Sequence, residues 1–231
     1  MAPTFPIAQP VAQPVVLVSQ DPSVVLKVTD LCFSRSKLEL FTSLHAVVRA
    51  GVTLVQGGEG RGKTTLLRLL AGDLQPQSGR MHLPWQVQDV DLADEAMAYR
   101  RALFWVDPRC TAFDAISASA YFEQQRGFWP RFDDQRLFAL IEGLSLTEFL
   151  HKPLYMLSTG SKRKVWLAAA MASNAVVALL DDPFAALDKP SIRYLTEVLQ
   201  GIDLQAARAV VISGYEAPDN LCLAGVIDLG D

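Results

Sequence analysis

Charged side chains are absent from the first 20 residues, MAPTFPIAQPVAQPVVLVSQ. A secretory signal needs a basic segment before an unbroken apolar run. Neither occurs here, because prolines interrupt the stretch at Pro3, Pro6, Pro10 and Pro14. We therefore expect residues 1–23 to form a proline-rich, disordered tail and residues 24–231 to form the folded domain.

Long apolar runs are also lacking. The other extended uncharged stretch, residues 165–180, has 16 residues, short of the roughly 20 that a membrane-spanning helix needs. Ser173 and Asn174 divide it further, into a helix and a strand. We expect no part of this sequence to cross a membrane.

Cysteine and net charge are both low. The three cysteines, Cys32, Cys110 and Cys222, have no metal-ligand spacing and are expected to be reduced thiols of a cytosolic protein. A formal net charge of -4 gives no general attraction to nucleic acid, so no nucleic-acid partner is predicted. Half of the 231 residues are hydrophobic, which is enough for a sizeable core.

The order of apolar segments predicts an α/β fold. Three short strands, VVLKVTD, LCFS and LHAVVRA, are expected between residues 24 and 50 and indicate an antiparallel β region. Apolar strands then alternate with helices, which indicates a mostly parallel sheet flanked by helices on both faces. The expected strands are residues 52–56, 102–106, 175–180, 209–213 and 224–229, and the expected helices lie within residues 66–72, 113–152, 161–173 and 191–199.

A glycine-rich loop joins the strand at residues 52–56 to the next helix. It fits the pattern G-x-x-x-x-G-K-[ST] and consists of Gly57, Gly58, Glu59, Gly60, Arg61, Gly62, Lys63, Thr64 and Thr65. Glycines allow a tight turn whose backbone N–H groups face phosphate oxygens at a helix N-terminus. Lys63 adds a positive charge for the β- and γ-phosphates, and the Thr64 hydroxyl is suited to Mg²⁺. The alternative, a glycine turn that happens to cap a helix, is disfavoured by the position between a strand and a helix.

Two adjacent carboxylates, Asp181 and Asp182, follow the apolar segment VVALL. A nucleotide with Mg²⁺ needs a second protein contact to the metal. Ligands collect at the carboxyl ends of parallel strands, so Asp181 is placed to supply that contact.

From about residue 26 to residue 229 the chain resembles the ATP-binding subunits of ABC transporters. The resemblance rests on the glycine-rich loop, LLRLLAGDLQPQSGRM, LSTGS at 157–161, the acid pair and AALD at 185–188. The short helical insert and the segment TTLLRLLAG are most similar to small exporter ATPases, such as the haem-exporter ATPase of cytochrome c maturation. The resemblance implies a P-loop NTPase fold of ABC type, a small helical subdomain at about residues 108–165, and ATP and Mg²⁺ as cofactors.

The segment LSTGS is similar to the family signature L-S-G-G-Q at Leu157, Ser158 and Gly160, with Thr159 and Ser161 in place of a glycine and a glutamine. The resemblance implies a head-to-tail dimer, in which each ATP is held by the loop of one subunit and the signature of the other. A second ATP-binding subunit and a membrane permease are therefore the expected partners. Ser158 and Gly160 precede a predicted helix, whose N-terminus is an anion site; a simple serine cap is the alternative.

Three positions depart from the pattern that the resemblance implies for catalysis. Asp182 replaces the usual glutamate base and is one methylene shorter, so its carboxylate falls short by up to ~1.5 Å. Tyr215 stands where the family has a histidine that contacts the γ-phosphate. Asp107 replaces a glutamine and would add negative charge to an anionic site. We expect ATP to bind well and to be hydrolysed slowly.

Two further assignments stay open at this point. Phe33 and Arg35 are both candidates to stack on adenine, with Phe33 favoured as a core residue. The run Lys162-Arg163-Lys164 is predicted to be a solvated face of the signature helix and not a nucleic-acid patch.

The leading hypothesis is a cytoplasmic ATPase subunit, peripheral on the inner face of the cell membrane through a separate permease. The alternative is a regulatory module that dimerises on ATP with little turnover. A P-loop kinase is disfavoured, because it would not need LSTGS or AALD.

Overall fold

The computed structural model describes residues 21, 23–35, 38–84, 90–202 and 207–230. The prediction of a disordered tail at residues 1–23 concerns residues that lie outside this range, apart from Asp21 and Ser23. No helix in the described ranges is long and apolar enough to cross a membrane.

The first sheet is antiparallel, as predicted, and has the strand order β2-β1-β4-β5. Its strands are β1 (Val24–Arg35), β2 (Leu38–Arg49), β4 (Ser78–Leu83) and β5 (Val90–Asp91). The prediction that VVLKVTD and LCFS are separate strands is wrong, because both belong to β1. Asp30, the last residue of VVLKVTD, has φ of 50°, and the pairing with β2 shifts register there without ending.

The second sheet is parallel and has the order β6-β7-β8-β3-β9. Its strands are β3 (Gly51–Gln56), β6 (Leu103–Trp105), β7 (Val177–Leu180), β8 (Ala209–Gly214) and β9 (Gly225–Asp228). Since all five strands run the same way, the glycine-rich loop after β3 and the acid pair after β7 leave the sheet at one edge. Strand β8 lies between them and ends at that same edge.

Six helices lie in the described residues: α1 (Lys63–Leu70), α2 (Ala96–Ala102), α3 (Ala118–Phe128), α4 (Asp134–Gly143), α5 (Thr159–Ala172) and α6 (Lys189–Gln200). Two 3₁₀ turns, Thr147–Phe149 and Leu154–Met156, connect α4 to α5. Helix α2 and strands β4 and β5 were not predicted from the sequence.

The parallel sheet is buried on both faces, and alternate residues of its strands enter two different cores. Val52 and Leu54 of β3 pack with helices α3, α4 and α5. Val55 packs instead with α1 and the antiparallel sheet. This alternation explains why the strands are almost wholly apolar, and the predicted α/β fold with helices on both faces is confirmed.

Candidate nucleotide-binding site

The glycine-rich loop turns tightly at two glycines that no larger residue could replace without strain. Gly57 has φ of 152° and Gly62 has φ of 96°. A Cβ at Gly57 would lie 3.0 Å from the carbonyl oxygen of Gly230, and one at Gly62 would lie 3.0 Å from Cζ of Phe41. The loop is therefore packed between the end of the chain and β2, with Gly62 leading directly into α1.

Lys63 is held inside the loop that precedes it. Its Nζ donates hydrogen bonds to the carbonyl oxygens of Gly57, at 2.5 Å, and Gly58, at 2.9 Å. The same atom lies 4.5 Å from the centroid of the Tyr215 ring. The ammonium group is thus fixed at the mouth of the loop, where terminal phosphates would bind.

Thr64 and Asp181 are brought together across the parallel sheet. The Thr64 Oγ1 donates to Oδ2 of Asp181 at 2.8 Å. Ser213, near the end of β8, donates from Oγ to the other carboxylate oxygen at 2.6 Å. Ser213 was not predicted from the sequence, because it looked like one more residue of a buried strand; the strand order places it beside the acids.

Asp182 follows in a different environment. Its backbone N–H donates to Oγ of Ser213 at 2.9 Å, its φ is 49°, and its side chain is exposed. Among the described residues its carboxylate accepts no hydrogen bond. Asp and Asn are the side chains that tolerate a left-handed backbone best, which accounts locally for an aspartate at this position.

A cleft of about 680 Å³ opens beside the loop. It is lined by Arg35, Leu38, Leu40, Glu59, Gly60, Gly62, Lys63, Thr64, Thr65, Arg68, Arg109 and Tyr215. Arg35 reaches the cleft, whereas Phe33 packs against the core and does not line it. Of the two candidates for stacking on adenine, Arg35 is the one that the structure brings to the site. Arg61 is exposed and does not line the cleft.

The charge of Asp107 does not act on the cleft alone, because Arg109 pairs with it. Its Oδ1 accepts hydrogen bonds from the Arg109 backbone N–H at 2.9 Å and from Nε at 3.3 Å. Partial burial acts to raise the pKa of Asp107, but the hydrogen bonds and charge of Arg109, with the charge of Arg68, hold that pKa below its usual range. The negative charge that Asp107 was expected to add is therefore offset by Arg109.

The signature residues lie at the start of α5 and outside this cleft. Ser158 caps the helix by accepting a hydrogen bond from the backbone N–H of Ser161 at 3.1 Å. Gly160 is buried against the loop after Asp182, where a Cβ would lie 2.3 Å from the carbonyl oxygen of Ala186. A single chain does not bring Ser158 and Gly160 to its own glycine-rich loop.

The run Lys162-Arg163-Lys164 is not the solvated face that was predicted. Lys162 pairs with Asp114, and Arg163 donates to the carbonyl oxygen of Ala185. Lys164 is only 8% exposed, and its Nζ lies 2.6 Å from Asp188. All three cations therefore have partners inside the fold. Arg163 and Lys164 connect α5 to the loop between Asp182 and Asp188.

The residues around Thr64 fit Mg²⁺ in company with a nucleotide. The described ranges contain no cluster of three or more His, Cys, Asp and Glu side chains that could hold a metal unaided. Magnesium bound with phosphates needs only one or two protein oxygens besides those of the phosphates and water. The Thr64 hydroxyl and the Asp181 carboxylate, already in contact, provide that number.

Comparisons with known proteins agree with this geometry. The family profile described as "ABC transporter" matches residues 44–185. The chain belongs to the ABC transporter family. The sequence-based assignment to the nucleotide-binding domains of these transporters is confirmed.

Relatives of known name point to one subgroup. The chain is 29% identical over 195 residues to the cytochrome c biogenesis ATP-binding export protein CcmA of Salmonella typhi, covering 84% of this chain and 91% of that protein. It is 32% identical over 171 residues to the protein of the same name in Pseudomonas putida, covering 74% and 80%. This ABC protein is thus similar to the subgroup that its sequence resembles.

Solved structures agree on the fold. An ATP-binding subunit of an ABC transporter superposes with a TM-score of 0.72 at 22% identity, covering 83% of this chain and 79% of that one. A putative ABC transporter ATP-binding protein from Pyrococcus furiosus gives 0.70 at 23% identity, covering 88% and 96%. At these identities the match establishes the shared ABC ATPase fold.

Proposed function

We propose that this ABC protein binds Mg²⁺ and ATP in the cleft, dimerises around the nucleotide and hydrolyses it slowly to drive a separate membrane permease. The main support is the hydrogen bond from Thr64 Oγ1 to Asp181 Oδ2, 2.8 Å long, which is already formed beside Lys63 in the loop. Groups that are already in place favour binding, since little free energy is then lost in ordering their side chains.

Each part of the cleft has a role in hydrolysis. The loop N–H groups and Lys63 hold the β- and γ-phosphates, and Arg35 stacks on adenine. Mg²⁺ supplies charge neutralisation of the phosphate oxygens when bound, with Thr64 and Asp181 as its protein contacts. Asp182 accepts a proton from the attacking water as the water oxygen bonds to the γ-phosphorus. The bond between the γ-phosphorus and the bridging oxygen breaks, which gives ADP and phosphate.

The need for a second subunit is supported by the position of Ser158 and Gly160. They lie outside the cleft of their own chain, at the N-terminus of α5, and a helix N-terminus favours an anion such as a nucleotide phosphate. A second copy of this chain or a homologous ATP-binding subunit would place its signature over the open side of the cleft.

Coupling to a permease is supported by the relatives, whose names describe them as ATP-binding export proteins. On this proposal the protein is cytoplasmic and sits on the inner face of the membrane through its permease.

Steady phosphate release by the purified chain with ATP and Mg²⁺ tests the enzymatic part. Release should exceed that of Lys63→Ala, while Lys152→Ala, which removes an exposed lysine on another surface, should match the parent. Release equal in parent and Lys63→Ala, together with ATP-dependent dimerisation of the parent, would favour the regulatory module instead. That alternative draws support from the Tyr215 ring over Lys63, at the position where the family pattern has a histidine.

Coupling is tested separately in membranes from the source cells. The tagged chain should remain with the membranes, be recovered with an integral membrane protein after mild solubilisation, and hydrolyse ATP faster when the two are reconstituted together. Recovery of all the chain from the supernatant, with no effect of membranes on hydrolysis, would contradict the coupling.

A further inference from the structure

The turn after β6 carries an arginine into the nucleotide cleft. Arg109 lines the cleft together with Lys63, Thr64 and Tyr215, and its side chain is 75% exposed. It lies within electrostatic reach of Asp181, whose charge, after the hydrogen bond and charge of Asp107, helps to raise the pKa of Arg109. The guanidinium therefore belongs to the region in which the metal and the terminal phosphates would bind.

Asp107 holds this arginine from one side. Besides the two bonds to Oδ1, the Arg109 Nη2 lies 3.5 Å from Oδ2, so the carboxylate engages the Nε and Nη2 edge. The Nη1 group makes no hydrogen bond within the described part of the chain. An arginine fixed along one edge keeps its remaining donors for a further anion, with little rotamer entropy left to lose.

The other cations of the cleft are engaged in different ways. Lys63 is shared between two carbonyl oxygens and the Tyr215 ring. The Nε of Arg68 donates to Asp73 at 2.7 Å. Arg35 ends β1, on the part of the cleft assigned to adenine. Arg109 thus adds to Lys63 a further cation, with unused donors, within electrostatic reach of Asp181.

We propose that Arg109, anchored by Asp107, contacts the terminal phosphate of ATP bound to its own chain and distinguishes ATP from ADP. This inference rests on the proposed nucleotide binding. Phosphoryl transfer has negative charge spread over the oxygens of the terminal phosphate, and an arginine supplied by the same chain is an effective way to stabilise it. Asp107 in this arrangement is a positioning residue, whose charge is used to orient Arg109.

The test compares ATP and ADP affinities by calorimetry in excess Mg²⁺ for the parent and Arg109→Ala. We expect ATP to bind at least tenfold more weakly in the variant and ADP affinity to change by less than twofold. Arg80→Ala is the matched control, because Arg80 is also an exposed arginine paired with an aspartate, Asp91, but lies in the antiparallel sheet. It should leave both affinities unchanged. Equal losses for ATP and ADP, or no loss, would overturn the proposal.

A second variant separates positioning from simple charge. Asp107→Ala keeps Arg109 but removes its anchor, so ATP should bind threefold to tenfold more weakly and ADP about equally. If Asp107 acted only as a negative charge near the phosphates, its removal would instead raise ATP affinity, and the proposal would be wrong.

If the parent binds ATP no better than Lys63→Ala, the proposed function fails and this inference with it. If the parent binds and Arg109→Ala retains ATP, only the inference fails.

Discussion

The hydroxyl of Ser213 lies 2.6 Å from Oδ1 of Asp181 and donates a hydrogen bond to it. The Ser213 Oγ also accepts a hydrogen bond from the backbone N–H of Asp182 at 2.9 Å, so one buried side chain contacts the carboxylate of Asp181 and the backbone of Asp182. Because Thr64 occupies the other oxygen of Asp181, the carboxylate is fixed from both sides before any ligand binds.

Replacing Ser213 by alanine should weaken the response to magnesium. A hydrogen bond to a charged group contributes roughly 1.5–3 kcal/mol, and its loss would let the Asp181 carboxylate rotate. We expect the Mg²⁺ concentration for half-maximal hydrolysis in Ser213→Ala to rise at least threefold, measured by titration at saturating ATP. Ser173→Ala is the control: Ser173 is equally buried and bonded to backbone groups, but at the end of α5. An unchanged magnesium titration in Ser213→Ala would contradict the role of Ser213.

Gly160→Ala should uncouple hydrolysis from nucleotide binding. The added Cβ would meet the carbonyl oxygen of Ala186 at 2.3 Å, so the loop that begins at Asp182 must move. We expect hydrolysis to fall at least tenfold and ATP affinity of the monomer to change by less than twofold. Gly127→Ala, in α3, meets nothing within 4 Å and should hydrolyse ATP like the parent. Full activity in Gly160→Ala would show that the loop accommodates the methyl group without consequence.

Tyr215 should contribute to ATP affinity through its ring. A cation–π contact at an exposed site is worth about 0.5–1 kcal/mol, and the ring lies 4.5 Å from Nζ of Lys63. Tyr215→Phe keeps the ring and should bind ATP like the parent, whereas Tyr215→Ala should bind it roughly two- to fivefold more weakly. Calorimetry at low salt measures the difference. A gain in affinity in Tyr215→Ala would mean that the ring competes with the phosphates for Lys63.

Much of this arrangement could be predicted from local sequence. The glycine-rich loop and Asp181 each follow a short apolar strand that is easily recognised in the sequence. The predicted ends of helices α5 and α6 lie within two residues of the observed ends. Strand β4 was missed because only Met81 and Leu83 of SGRMHL are buried and its partner β1 is distant in sequence, and β5 was missed because it has only two residues.

The residues that complete the site were not visible from the sequence for a related reason. Ser213 contacts Asp181 only because β8 lies between β7 and β3, and strand order depends on packing of the whole sheet. Arg109 was overlooked because Asp107 was considered alone, as a negative charge. Pairing between side chains two residues apart in a turn depends on backbone geometry that a sequence pattern does not specify.

Asp182 provides the sharpest test of the catalytic assignment. Lengthening its side chain in Asp182→Glu restores reach to the attacking water and should speed hydrolysis at least threefold, about 0.65 kcal/mol in the barrier. The backbone opposes this change, since φ at Asp182 is 49° and glutamate tolerates that region less well than aspartate. We therefore expect a gain in rate to be accompanied by a small loss of stability, of about 1 kcal/mol or less, in thermal unfolding.

Asp182→Asn is the matched variant, because asparagine keeps the shape and tolerates a left-handed backbone equally well. Its amide cannot accept the proton, so hydrolysis should fall by a factor of about 10² or more, while ATP affinity by calorimetry stays within twofold of the parent. The contrast between the two variants isolates proton transfer from backbone conformation. If Asp182→Asn releases phosphate as fast as the parent, Asp182 is not the base, and a clamp driven by nucleotide binding becomes the better description of this ABC protein.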